Sequence, residues 1–164
     1  MDNILLAGFD GQNNSAKVLL DRLSTKPNID KLYLQNDYKK CASQIIKHIK
    51  TNKYKLIIAF GQKPAAKSIF IERYADTNGR NYKTIFQYEL LKSLFSEKGY
   101  AVKISDNAGN YLCNHVYGAG LSYLEQQKLF MPYLFIHIPT LKNLTNINML
   151  AVVIDEYIDR IACR

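Results

Sequence analysis

Three residues of this 164-residue chain have types and surroundings that could do chemistry together: Cys113, His137 and Glu72. Thiols attack as thiolates, so a reactive cysteine needs an imidazolium, a helix N-terminus or both to favour its charged form. Cys113 follows a strand pattern and a polar turn and stands at the start of a predicted helix. Unpaired backbone amides and the macrodipole favour negative charge there, and the same amides can hold the oxyanion of an acyl-transfer intermediate. His137 ends the apolar run 133–136. Glu72 follows the Gly61-Gln62 turn and has Arg73 beside it. A carboxylate at that point can accept the second ring N–H of His137 and hold its tautomer, as the third member of a triad does. Residue types alone leave plainer readings open. A cysteine at a helix start is more often packed than catalytic, a histidine ending a core strand is more often structural, and a Glu-Arg pair is usually a surface ion pair. His115 stands two residues from Cys113, but no second cysteine or carboxylate lies at ligand spacing, so no metal is expected.

The elements that must position these residues alternate between short apolar runs and helical patterns, which predicts an α/β three-layer sandwich with a mostly parallel central sheet flanked by helices. Strands are expected over 4–7, 32–34, 56–60, 101–104 and 133–138, with 68–71 the one strand-like part of an irregular stretch from Gly61 to Tyr82. The run at 56–60 is apolar without alternation, as a strand buried on both faces is. Helices are expected from a cap at Asn14 or Ser15, through the Ala42, Ile45, Ile46, Ile49 face, through Tyr88, Leu91, Leu94 and Phe95, from about Cys113, and through the Leu150 to Ile161 pattern. Gly118 and Gly120 inside a helix each cost about 1 kcal/mol relative to Ala, which points to close packing there. Parallel strands in such a sheet bring their carboxyl ends to one rim, where His137 and the turn before Cys113 would meet.

Composition sets the frame. The length and the absence of linkers or repeats predict a single domain over 1–164. No basic leader-like start and no run of roughly 18 apolar residues is present, so a cytoplasmic protein without a membrane span is expected. Three widely spaced cysteines without a CxxC predict free thiols. The net charge of +8 is spread over scattered lysines, which reads as a solvated basic surface and makes nucleic acid an unlikely partner.

Four motifs in order carry a family resemblance. Residues 105–115, SDNAGNYLCNH, resemble the nucleophile motif of the pyroglutamyl peptidase I family, the pyrrolidone-carboxylate peptidases. FIHIP at 135–139 is similar to its histidine motif, Gly61-Gln62 with Glu72-Arg73 to its glutamate motif, and residues 5–10 to its first strand and turn. The resemblance implies a phosphorylase/hydrolase-like fold, a thiol protease with Cys113 as nucleophile, His137 as base and Glu72 as its orienting group, and no cofactor. It implies removal of N-terminal pyroglutamate from peptides through a thioester. It also implies a site for the lactam ring walled by Phe9 and Tyr111 and hydrogen-bonded by the main chain at Gln62, positions that also fit a core aromatic or a plain turn.

The chain departs from the family pattern in three places. Gly11-Gln12-Asn13-Asn14 stands where the family reads Pro-Phe-Gly-Gly, Lys63-Pro64-Ala65-Ala66-Lys67 replaces a Gly-containing run ending in Arg, and the stretch from Tyr74 to Lys83 is short, without a recognisable RIPDN-like segment. These changes leave the three chemical residues in place and alter the rim around them. Two further readings therefore stand beside the peptidase: a hydrolase of the same fold acting on another N-terminal group or small amide, and a non-catalytic basic binding domain. The missing segments leave open whether a homo-oligomer forms.

Overall fold

The computed structural model describes residues 3–163; Met1, Asp2 and Arg164, included in the expected domain, lie outside them. In chain order the elements are β1 (Asn3–Phe9), α1 (Ser15–Arg22), β2 (Ile29–Leu34), α2 (Tyr38–Thr51), β3 (Tyr54–Lys63), β4 (Ile69–Glu72), β5 (Tyr74–Thr77), β6 (Arg80–Lys83), α3 (Glu89–Glu97), β7 (Val102–Ser105), α4 (Leu112–Gln126), β8 (Tyr133–Pro139) and α5 (Ile147–Ala162). Six strands form one sheet in the order β2-β1-β3-β8-β4-β7, and β5 and β6 form a separate hairpin. The architecture is the α/β sandwich expected from the pattern.

Because side chains alternate across a strand, each central strand feeds two cores. Ile58, Phe60, Leu134 and Ile136 pack on one face with Leu19, Leu20, Leu94, Leu150 and Ile154 from α1, α3 and α5. Ile57, Ala59, Tyr133 and Phe135 pack on the other with Cys41, Ile45, Val116 and Tyr117 from α2 and α4. Helix starts follow their caps: the side chains of Asn14, Asp37 and Asn146 accept backbone N–H bonds from Ala16, Lys40 and Met149. No helix among the described residues is long and apolar enough to cross a membrane.

Three features differ from the sequence reading. Gly61 and Gln62 are not a turn, because β3 continues through them to Lys63 along its pairing with β8. The irregular stretch contains not only β4 but also the β5–β6 hairpin, turned by Asn78 and Gly79 with φ of 53° and 76°. Most consequentially, β4 runs antiparallel to β8 and parallel to β7, so β4 and β7 direct their carboxyl ends away from the rim where β8 ends. A shared rim of carboxyl ends is therefore not what brings the chemical residues together.

Both helical glycines of α4 have a packing reason. A β-carbon on Gly118 would come within 2.1 Å of Thr77 Oγ1 in the hairpin, and one on Gly120 within 2.3 Å of the Tyr133 ring. Tyr133 is fully buried and meets Tyr117 edge-on at 5.1 Å, so its ring has nowhere to retreat. Gly120→Ala should therefore lower stability by about 1–2 kcal/mol despite alanine's better helix propensity, because overpacking outweighs it. Thermal unfolding checks this; an unchanged or higher midpoint would mean that the ring slips aside.

Candidate active site

Register, not loop geometry, sets the first contact. Glu72 is opposite Phe135 across the antiparallel β4–β8 pair, and His137 is opposite Phe70. Glu72 and His137 are thus diagonal neighbours on one face, a separation that long side chains span. The His137 Nδ1–H donates to Glu72 Oε1 at 2.8 Å. Both side chains are buried, His137 at 7% exposure and Glu72 at 0%. With the proton placed on Nδ1 by its acceptor, Nε2 is left as the basic nitrogen of the ring. Glu72 Oε2 is buried with no hydrogen-bond partner among the described residues. The backbone of Glu72 is fixed from the other side, where the Tyr117 hydroxyl donates to its carbonyl at 2.8 Å.

Cys113 reaches the same face from α4. Gly61 is in register with His137 on the neighbouring strand, and a β-carbon placed on Gly61 would come within 2.5 Å of Cys113 Sγ and 2.8 Å of the Phe135 ring. The thiol rests over the one β3 position that carries no side chain. A glycine inside an apolar strand signals such a close approach, and sequence reasoning passed over it as a turn residue.

Cys113 is the second residue of α4, whose N-cap Tyr111 makes no side-chain capping bond, and the first-turn amides have no partner within the helix. This end of α4 is anchored in two directions. The Asn114 amide donates to Asp76 O and accepts from Asp76 N, both at 2.9 Å, and His115 Nε2 bonds Tyr38 O at 2.9 Å. Despite the helix terminus, burial pushes the Cys113 thiol up to about 12, with Cys41 and Glu72 acting in the same direction and its own backbone amide opposing. The expected activation of the thiol by its position alone is thus outweighed by desolvation.

The three substrate-binding candidates differ in placement. Gln62 lies on β3 just past the site: pairing with β1 stops at Gly8 and Phe60. By the alternation of a parallel ladder, the Gln62 N–H and C=O face the edge that β1 has vacated. Its side chain is occupied, with Oε1 accepting the Ser15 N–H at 2.9 Å. Phe9 is buried in the core that also receives Cys113. Tyr111 is 67% exposed, and its ring leans edge-on against Tyr38 at 5.7 Å. Cavities of about 840 Å³ along Val152, Glu156 and Arg160, about 540 Å³ between Leu56, Phe86, Leu90 and Tyr157, and about 400 Å³ beside Leu121, Leu124 and Phe130 all lie elsewhere. No group of three His, Cys, Asp or Glu among the described residues could hold a metal ion.

A thiol with a raised pKa makes a prediction of definite sign. Below that pKa the thiolate fraction, and with it carbamidomethylation of Cys113 by iodoacetamide, should rise about tenfold per pH unit from pH 7 to 9. Peptide mapping separates this from the exposed Cys163 and the buried Cys41. A rate independent of pH over that range would instead indicate a standing thiolate–imidazolium pair.

Comparison with known proteins places this arrangement. The sequence profile described as pyroglutamyl peptidase matches residues 79–152, which include Cys113 and His137. The pyrrolidone-carboxylate peptidase of Fusobacterium nucleatum is 29% identical over 86% of this chain and 79% of its own length. That of Oceanobacillus iheyensis is 49% identical over 31% of this chain, a quarter of its own length (25%). Among solved structures, the pyrrolidone carboxyl peptidase of Fervidobacterium islandicum AW-1 superposes with a TM-score of 0.85 at 20% identity, covering 99% of both chains. The enzyme of Thermococcus litoralis gives 0.81 at 18% identity, over 97% of this chain and 92% of that one. In fold along nearly its whole length, and in sequence most clearly across its second half, the chain is similar to the pyroglutamyl peptidases.

Proposed function

We propose that this protein is a cysteine peptidase that removes N-terminal pyroglutamate from peptides, with Cys113 as nucleophile, His137 as general base and acid, and Glu72 as the group that orients His137. The observation that carries the reading is the buried 2.8 Å bond from His137 Nδ1 to Glu72 Oε1 beside a thiol seated on Gly61. Since the thiol is held protonated by burial, His137 Nε2 takes its proton as the sulfur attacks the pyroglutamyl carbonyl. The amides of the first turn of α4 face the resulting oxyanion. The imidazolium then gives its proton to the departing amine, the C–N bond breaks, and a thioester remains. Water, deprotonated by His137, adds to the thioester and releases pyroglutamate with the thiol restored. The vacated Gln62 edge offers one N–H and one C=O to the lactam, and Phe9 and Tyr111 are its proposed apolar walls. The chemistry of this cycle calls for no cofactor.

The same-fold hydrolase with a different small amide or N-terminal group is a second reading, favoured by the exposed Tyr111 and by Gln12 in the altered Gly11-Gln12-Asn13-Asn14 turn. The basic binding domain has less support, because cations on separate elements are tied to acidic partners: Lys17 to Asp21, Lys26 to Asp159, Arg80 to Glu125 and Arg160 to Glu156.

Purified protein under reducing conditions should hydrolyse a pyroglutamyl fluorogenic amide, Cys113→Ala should abolish turnover, and Glu72→Gln should lower kcat by about 10²–10⁴-fold. Turnover that survives Cys113→Ala would reject the nucleophile. No turnover of the pyroglutamyl amide, with Cys113 still alkylated in the pH-dependent way its burial predicts, would transfer the assignment to the second reading.

A further inference from the structure

The residue after Glu72 and the residue that opens the loop to Cys113 are joined. Arg73 Nε donates to Asp106 Oδ1 and Arg73 Nη2 to Asp106 Oδ2, both at 2.6 Å, in the planar fork-to-fork geometry that gives orientation as well as attraction. The backbone reinforces the same junction: Glu72 is in register with Ser105 across β4 and β7, and Arg73 N–H donates to Ser105 O at 2.8 Å. From Asp106 onward the loop is stiffened by its own bonds. Asn107 N–H donates to Ser105 Oγ at 3.2 Å, Gly109 N–H donates to Asn107 Oδ1 at 2.9 Å, and Gly109 takes φ of 88°. The pair therefore connects the short strand that carries the orienting carboxylate to the stiff loop that delivers the thiol.

We propose that Arg73 and Asp106 are positioning residues that hold Cys113 in reach of the His137–Glu72 pair. The inference rests on the reading of those three as the chemical residues, and neither member of the clamp touches the reacting atoms. Its hydrogen bond to Arg73 holds the Asp106 carboxyl below its ordinary range, so the clamp stays charged across the neutral range. The two side chains are 34% and 54% exposed, and an ion pair that open to solvent contributes little to global stability. Effects on rate and on folding are thus separable. A misplacement well under an ångström is enough to slow a step that depends on contact geometry.

The test is a double-mutant cycle in the full-length chain with Arg73→Ala, Asp106→Ala and the pair combined, with Asp106→Glu as the variant that keeps a carboxylate. Two rates are read: kcat on the pyroglutamyl amide, and carbamidomethylation of Cys113 at pH 7 by peptide mapping. Each single alanine variant should lower kcat about tenfold with KM within about twofold, and should raise carbamidomethylation, because a thiol freed from its seat on Gly61 is less desolvated. The thermal midpoint should stay within about 2 °C. The combined variant should be no slower in turnover and no faster in alkylation than either single, and Asp106→Glu should stay within about threefold of the parent. Unchanged rates in the singles, effects that multiply in the combined variant, or effects that track a falling midpoint would each overturn the clamp. A parent that does not turn over the pyroglutamyl amide would leave the alkylation cycle to decide alone. The clamp would then stand or fall apart from the substrate assignment.

Discussion

Everything at this site depends on one strand running the wrong way. β4 enters the sheet antiparallel to β8, and its four residues place Glu72 diagonal to His137 on the face that α4 covers. If β4 ran parallel, its last residue would project from the same rim as the end of β8 and the carboxylate would be free to hydrate. Instead it sits at 0% exposure, where a hydrogen bond to the imidazole is the alternative to leaving a charge bare. The sheet therefore supplies a fixed orientation for the ring without help from any loop.

The thiol is positioned by a different means, the absence of a side chain. Gly61 leaves a hollow on β3 beside His137, and α4 lowers Cys113 into it. That proximity has an electrostatic consequence. Covering the sulfur on the sheet side removes the water that would solvate a thiolate, so the helix terminus that would favour charge is overruled. A site built in this way keeps its thiol neutral at rest, so in the proposed cycle the sulfur gives its proton to His137 only as it meets an electrophile.

Much of the site was legible because its residues sit at the ends of strong patterns. The apolar runs 56–60 and 133–138 are unambiguous buried strands, and Cys113 after a polar turn marks a helix start. What stayed hidden was relational. Nothing in the apolar stretch 69–71 states its direction, since buried parallel and antiparallel strands read alike in composition. The β5–β6 hairpin did carry its own signal, Asn78-Gly79 between alternating residues, the dipeptide whose two positive φ angles suit a tight hairpin turn. The segment still reads as irregular, because its strands are four residues long and each buries one residue, Ala75 and Tyr82. Phe9 and Tyr111 show the same limit from the other side: both are aromatic, yet one is buried at 3% exposure and the other open at 67%. Which of them a ligand meets depends on packing that residue type does not encode.

The hairpin also has an architectural consequence. Asn114 bonds both the N–H and the C=O of Asp76, as a neighbouring strand would, and Gly118 lets Thr77 settle on the helix. The hairpin is thus pinned to the helix just short of its turn, at Asp76 and Thr77, while the turn itself has nothing within 4 Å of the β-position of Gly79. Chain length added at that tip would hang in solvent without disturbing the attachment. The turn is in effect a grafting point, where the hairpin can be lengthened without moving the helix that carries the thiol.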